Sequence, residues 1–231
     1  MFNSYDSKII SVRFIIDKFS YNLINYLLLY VNNTNFKNNK LPISNNWVIL
    51  FELETNNDDV LNTISDYELD DHNIIIADNL SSRNSLWQIR ENIPMAEKIH
   101  GIAIKHDISL PISNIEKFIQ LNQKNIQNKF PNAQIIIFGH LGDGNLHYNI
   151  QLATQTETIK HEIEITKVVY TDVLSLRGSI SAEHGIGQLK ASWYKNLTDP
   201  VGYNLVRQIK AQLDPNNIFN PNKILRQNEL P

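Results

Sequence analysis

Two short windows in this chain gather the residue types that bind a divalent metal and move a proton. The first runs Gly139-His140-Leu141-Gly142-Asp143-Gly144-Asn145-Leu146-His147, the second Ser179-Ile180-Ser181-Ala182-Glu183-His184-Gly185. Imidazole and carboxylate are the ligands a borderline-soft divalent ion prefers, and a catalytic zinc takes three protein ligands while leaving one position open. His140, His147 and one of the adjacent pair Glu183 and His184 meet that count, with the fourth group left over for other work. Six of the chain's eight glycines lie in or beside these windows, which marks both as conformationally special loops.

The elements that must position these groups can be read from the pattern of apolar residues. Residues 133–139 and 146–152 read as strands joined into a hairpin, with Asp143-Gly144 as the turn signal at its tip. In that hairpin His140 and His147 are expected to face each other across the mouth, with Cβ atoms roughly 4.5–5.5 Å apart as for opposed residues. Asp143 is then either a carboxylate partner to one imidazole or a turn residue; the sequence leaves both open. Glu183 and His184, on a short strand at 179–182 and its extension, point to opposite sides, so that one is free to ligate while its neighbour serves nearby.

Elsewhere the order is mixed. An amphipathic helix is expected over 9–31, with Ile10, Phe14, Phe19 and Ile24 among its apolar residues, then a polar linker over 32–39. Strands follow at 47–53, 73–77 and 101–108, and helices at 58–66, 82–99, 112–130, 157–176, 187–195 and 200–213. Pro94 predicts a kink or break in the helix over 82–99. Hairpins interleaved with helical crossovers indicate an α+β fold: an antiparallel sheet with helices on one face, arranged as two ferredoxin-like units, plus C-terminal helices. The chain, residues 1–231, reads as a single domain.

Composition excludes several classes of function. The net charge of −3 and the lack of a basic stripe argue against nucleic acid as a partner. No cysteine is present, so disulfides and thiolate metal ligation are ruled out. The most apolar run, 23–31, is too short for a transmembrane segment. The expected location is cytoplasmic, either free or peripheral to the inner membrane.

Four motifs in order carry a resemblance. Arg90-Glu91-Asn92-Ile93-Pro94, the run Ile104-Lys105-His106-Asp107-Ile108-Ser109-Leu110-Pro111, the two windows above and the tail from Leu213 to Leu225 resemble the C-terminal (cap) domain of FAD-linked oxidases. That group, of the vanillyl-alcohol-oxidase type, contains D-lactate, glycolate and D-2-hydroxyglutarate dehydrogenases. The resemblance implies that His140, His147 and Glu183 are metal ligands, for zinc or manganese, and that His184 is the base that takes the hydroxyl proton. It implies Arg90 and Lys105 as the cations that hold substrate carboxylate, Asn149 as a polar substrate contact, and Asn220 and Lys223 in a tail near the flavin. Where dicarboxylate-using members carry a hydroxyl residue this chain has Pro94, which leaves lactate-like 2-hydroxy acids open as substrates.

That chemistry is coherent from first principles. Oxidising a 2-hydroxy acid to a 2-oxo acid requires loss of the hydroxyl proton and hydride transfer to flavin; a metal acidifies the hydroxyl and a histidine accepts its proton. No glycine precedes Gly101, so a glycine-rich phosphate cradle is not expected in this chain. FAD is therefore expected to be bound mainly by a domain not in this chain, such as a separate flavin-binding chain. Two other readings stand beside this one: a truncated, non-catalytic remnant of such an enzyme, and a metal-dependent hydrolase that uses the same ligands with His184 as base.

Overall fold

The computed structural model describes residues Ile9–Arg13, Leu50–Leu53 and 79–226. The chain forms two compact units, Met1–Ile180 and Ser181–Pro231. The first holds strands β1 (Ile9–Arg13), β2 (Leu50–Leu53), β3 (Ile104–Ser109), β4 (Gln134–His140) and β5 (Asn145–Gln151). Its helices are α1 (Leu80–Glu91), α2 (Ile93–His100), α3 (Ile115–Lys129), α4 (Gln155–Lys160) and α5 (Glu162–Ser175). The second holds α6 (Ala191–Leu197) and α7 (Pro200–Leu213).

The three-stranded antiparallel sheet, in order β3-β5-β4, is the frame of the first unit. Successive residues of a strand point to opposite faces, so each strand sorts its side chains into two sets. Ile104, His106 and Ile108 pair with Ile150, Tyr148 and Leu146, which pair in turn with Ile135, Ile137 and Gly139. The side chains of this set are almost wholly buried, and α3 and α5 cover them. Phe118 of α3 meets Tyr148 edge to face with ring centroids 5.0 Å apart. His106 is held from both ring nitrogens, by the Tyr148 carbonyl at 2.8 Å and the Thr166 hydroxyl at 3.1 Å. It is thus a satisfied core histidine, pointing away from the opposite, polar face, as strand alternation predicts.

Helix α3 buries Ile115, Phe118, Ile119, Asn122 and Ile126, one stripe at helical spacing. Between α3 and α5, the buried Asp172 carboxylate accepts from the amides of Asn122 at 2.7 Å and Asn125 at 2.9 Å. After α5 the chain returns beside β3 through a single antiparallel bridge between Ser109 and Ser179. The sequence β3-α3-β4-β5-α5, closed by that bridge, is one ferredoxin-like unit whose fourth strand is reduced to one residue pair. The α+β fold is as expected. A second such unit would draw on residues that lie outside those described.

Several elements differ from expectation. Residues 9–13 are a strand, not the start of a helix; Ile9, Ile10 and Val12 are β-branched, and β2 supplies an antiparallel partner from Leu50 to Leu53. The rest of the helix expected over 9–31, the linker at 32–39, the helix at 58–66 and the strand at 73–77 lie outside the described residues. The helix expected over 82–99 does break beside Pro94 as expected, at Asn92, and Pro94 falls in the first turn of α2, where a missing N–H costs nothing. The helix expected over 157–176 is likewise two, divided at His161. No strand forms over 179–182 beyond the bridge at Ser179; positive φ at Arg177 (61°) turns the chain just before it.

Candidate metal and substrate residues

The polar face of the sheet is built from the alternate residues of the same strands. Lys105 pairs with Asn149, Asp107 with His147 and Ser109 with Asn145; on the other side of β5, His147 pairs with Phe138 and Asn145 with His140. Lys105, Asp107, His140, Asn145, His147 and Asn149 therefore share one face. The sheet thus brings together four of the residues singled out from the sequence: His140, His147, Lys105 and Asn149.

The two imidazoles do not face each other directly. His147 is opposed by Phe138 and His140 by Asn145, so the histidines are diagonal neighbours on one face, roughly 7–8 Å apart at the backbone rather than the closer spacing of an opposed pair. Loop length is the reason. Four residues, a 3-10 turn over Leu141–Asp143 followed by Gly144, close the hairpin. Opposing His140 to His147 would need six.

Gly144 is required there: its φ is 72°, and a Cβ on it would collide with the Leu110 carbonyl oxygen, which lies against the turn. The Gly144 carbonyl in turn accepts the Leu110 N–H at 3.0 Å. Asp143 accepts the Asn145 N–H at 3.0 Å and is exposed, which is the bonding of a turn residue.

Neighbours fix both imidazoles. The His147 ring packs on Phe138 with centroids 4.8 Å apart and planes at 37°. Arg90 Nη2 lies 3.3 Å from His140 Nε2. A guanidinium can only donate, so a hydrogen bond in this contact uses His140 Nε2 as the acceptor. A neutral imidazole with a defined lone pair is the form a metal requires. A metal would take that lone pair in exchange for Arg90, or take Nδ1 instead. Arg90 comes from the last turn of α1.

The Lys105 ammonium donates to Glu97 Oε2 at 2.9 Å. Glu97, on α2, is 1% exposed. This pairing was not legible in the sequence, because the turn around Gly101 between α2 and β3 decides which residues of the two elements meet. Phe138 was missed too; the sequence offers only an apolar residue two before His140. Asp107 is buried beside His147 in the register. Burial, and then the negative charge of Asp107, push the Tyr170 phenol up to about 12.

In the second unit Glu183 and His184 are exposed on a run of bends, not on an extended segment. Lys190 donates to the Ser181 hydroxyl at 3.1 Å and ties the two ends of this loop together. The tail after α7 is organised by Asp214. Its carboxylate accepts the N–H groups of Ile218 at 2.8 Å and Phe219 at 2.9 Å and pairs with Lys210. Burial works to raise the pKa of Asp214, but these donors outweigh it and hold the group below its ordinary value. Further along, Asn220 and Lys223 are exposed, and Lys223 donates to Gln188 Oε1 at 2.7 Å. The backbone N–H groups of Lys223 and Ile224 are taken by the carbonyls of Asn220 and Gly187. The tail can therefore offer a flavin its side chains, but these two amides are not free to cradle phosphate.

Residues 6–224 match the family described as FAD linked oxidases, C-terminal domain. The chain belongs to that family. It is 34% identical over 208 residues to the D-2-hydroxyglutarate dehydrogenase, mitochondrial, of Arabidopsis thaliana, a match covering 87% of this chain and 36% of the relative. It is 36% identical over 156 residues to the probable D-2-hydroxyglutarate dehydrogenase, mitochondrial, of Oryza sativa subsp. indica, covering 68% and 27%. With D-2-hydroxyglutarate dehydrogenase of Stutzerimonas stutzeri it shares 35% over 144 residues, covering 61% and 31%. The chain thus spans about a third of the length of these curated relatives. Among the described residues no helix is long and apolar enough to cross a membrane.

Proposed function

We propose that this chain is the substrate- and metal-binding part of an FAD-dependent D-2-hydroxy-acid dehydrogenase. The observation that carries the reading is the polar sheet face, where two neutral-capable imidazoles, an amide and an ammonium stand together with Arg90 on one of the histidines. The chemistry of the donor set fits zinc or manganese: His140 and His147 from the sheet, with Glu183 as the carboxylate. The relatives' names favour D-2-hydroxyglutarate among substrates. Pro94 weighs little against a second carboxylate, because Arg90 and Lys105 supply the charge that would hold one.

Each residue has a distinct task in this reading. Arg90 presents a planar fork matched to a carboxylate, and Lys105 a compact charge beside Asn149. His184 accepts the hydroxyl proton as general base. His140, His147 and Glu183 would hold a metal that would supply acidification of the substrate hydroxyl, and FAD, held mainly by residues outside this chain or by a separate flavin-binding chain, would supply the hydride acceptor. Asn220 and Lys223 would lie beside a bound flavin.

Zinc titration of the purified protein tests the centre. Near-stoichiometric binding is expected for the wild type, with affinity reduced at least ~100-fold in His140→Ala and in His147→Ala. Unchanged affinity in either variant would remove these residues from the ligand set.

A further inference from the structure

Lys105 is exposed, yet its ammonium is bound to a carboxylate that is almost wholly buried: the side chains are 60% and 1% exposed, at 2.9 Å. The other carboxylate oxygen, Glu97 Oε1, is buried and finds no hydrogen-bond partner among the described residues. A buried carboxylate that is only half satisfied is costly, and a helix facing a sheet would be better served there by an apolar residue. Among the interactions described for Glu97, its one compensating contact is Lys105. Lys105 is opposed by Asn149 on the same face as the two histidines.

We infer that Glu97 is a positioning residue, which holds the Lys105 ammonium in place and balances its charge, and so sets how strongly a second carboxylate on the substrate is favoured. This rests on the reading of the sheet face as a 2-hydroxy-acid site. An ammonium has three donors; Glu97 takes one and leaves two for a ligand. Lysine alone is a flexible stem with a strongly hydrated head, and anchoring it removes rotamer freedom before the ligand arrives. The same contact lowers the net charge of the pair to zero. A substrate with one carboxylate is served by Arg90, whereas one with two must draw on a lysine whose charge is already matched.

The consequence separates this role from mere support of the fold. Loss of a structural contact would weaken both kinds of ligand in parallel. Loss of the Glu97 charge should instead change the ratio of their affinities, because it adds one net positive charge that a dianion feels more strongly than a monoanion.

The experiment is calorimetric titration of the zinc-loaded protein with D-2-hydroxyglutarate and with D-lactate. Glu97→Gln should raise the affinity ratio of the two-carboxylate acid over the one-carboxylate acid by about tenfold, since the pair is partly solvent-screened. Glu97→Asp, which keeps the charge, should leave the ratio within about twofold of the wild type. Lys105→Met strands the Glu97 charge and should lower the ratio about tenfold. The double variant Glu97→Leu with Lys105→Met replaces the ion pair by apolar side chains, an exchange that folds commonly tolerate. It should raise the ratio about threefold above that of Lys105→Met, because the stranded charge is gone while the lysine donors stay lost, even if Glu97→Gln does not fold. A ratio unmoved in Glu97→Gln, affinities that fall in parallel, or no difference between Lys105→Met and the double variant would each overturn the inference alone. Binding of neither acid by the wild type would overturn the site reading with it.

Discussion

The sheet of the first unit and the loop of the second carry proposed metal ligands on opposite kinds of support. His140 and His147 stand on adjacent hydrogen-bonded strands whose reverse face is a buried core, and each ring has a fixed neighbour, Arg90 or Phe138. Glu183 and His184 are exposed on a run of bends tied at its ends by Lys190 and Ser181. Strand-borne ligands are preorganised by packing, whereas loop-borne groups adapt on binding. The difference suits a site whose two imidazoles are set in advance.

The largest expected effect tests the loop side of that contrast. In enzyme assembled with its flavin, His184→Ala should slow flavin reduction by roughly 10²–10⁴-fold in single turnovers, the usual contribution of a positioned general base. Reduction at the wild-type rate would show that the loop does not provide the base. On the sheet side, Phe138→Ala should weaken zinc binding by about 10–100-fold without removing any ligand, because the His147 ring would lose the surface that orients it. If zinc affinity stays within twofold, orientation by packing is unimportant and the two supports are energetically alike.

The smallest effect probes the core beneath the sheet. The Tyr170 phenol is raised to about 12 in the folded protein, against an ordinary value near 10. A raised value means the folded state holds the proton more tightly, so this contribution is complete below about pH 10 and is lost as the pH climbs toward 12. Wild-type stability should fall by about 1–2 kcal/mol more than that of Tyr170→Phe across this range, as read by urea unfolding. Parallel curves would contradict a buried, protonated Tyr170. Asp214 in the second unit has the opposite sign: its lowered pKa contributes stability present above about pH 4 and lost on acidification below it.

Much of the fold was legible because strand alternation and helix punctuation act locally. Helix α7 begins at Pro200 behind the Asp199 cap and ends at Leu213, as the sequence indicates. The division of β3 into Lys105 and Asp107 on one side and His106 on the other followed from period two alone. The helix break beside Pro94 was legible in the sequence, and the one at His161 was not. Proline explains the first, but nothing in the residues near His161 demands the second.

The sequence by itself determined which residue types carry the chemistry, which face of each strand they occupy, and that Gly144 sits at the hairpin turn. These are properties of one or a few consecutive residues, and backbone sterics suffice to set them. Tertiary structure decided which groups meet. A four-residue loop slid His147 opposite Phe138 rather than His140. Strand β2 drew residues 9–13 out of a helix. The turn between α2 and β3 delivered the buried Glu97 carboxylate to Lys105. Such pairings depend on loop closure and on the packing of distant segments, where the free energies of many contacts are settled together and no local pattern records the outcome.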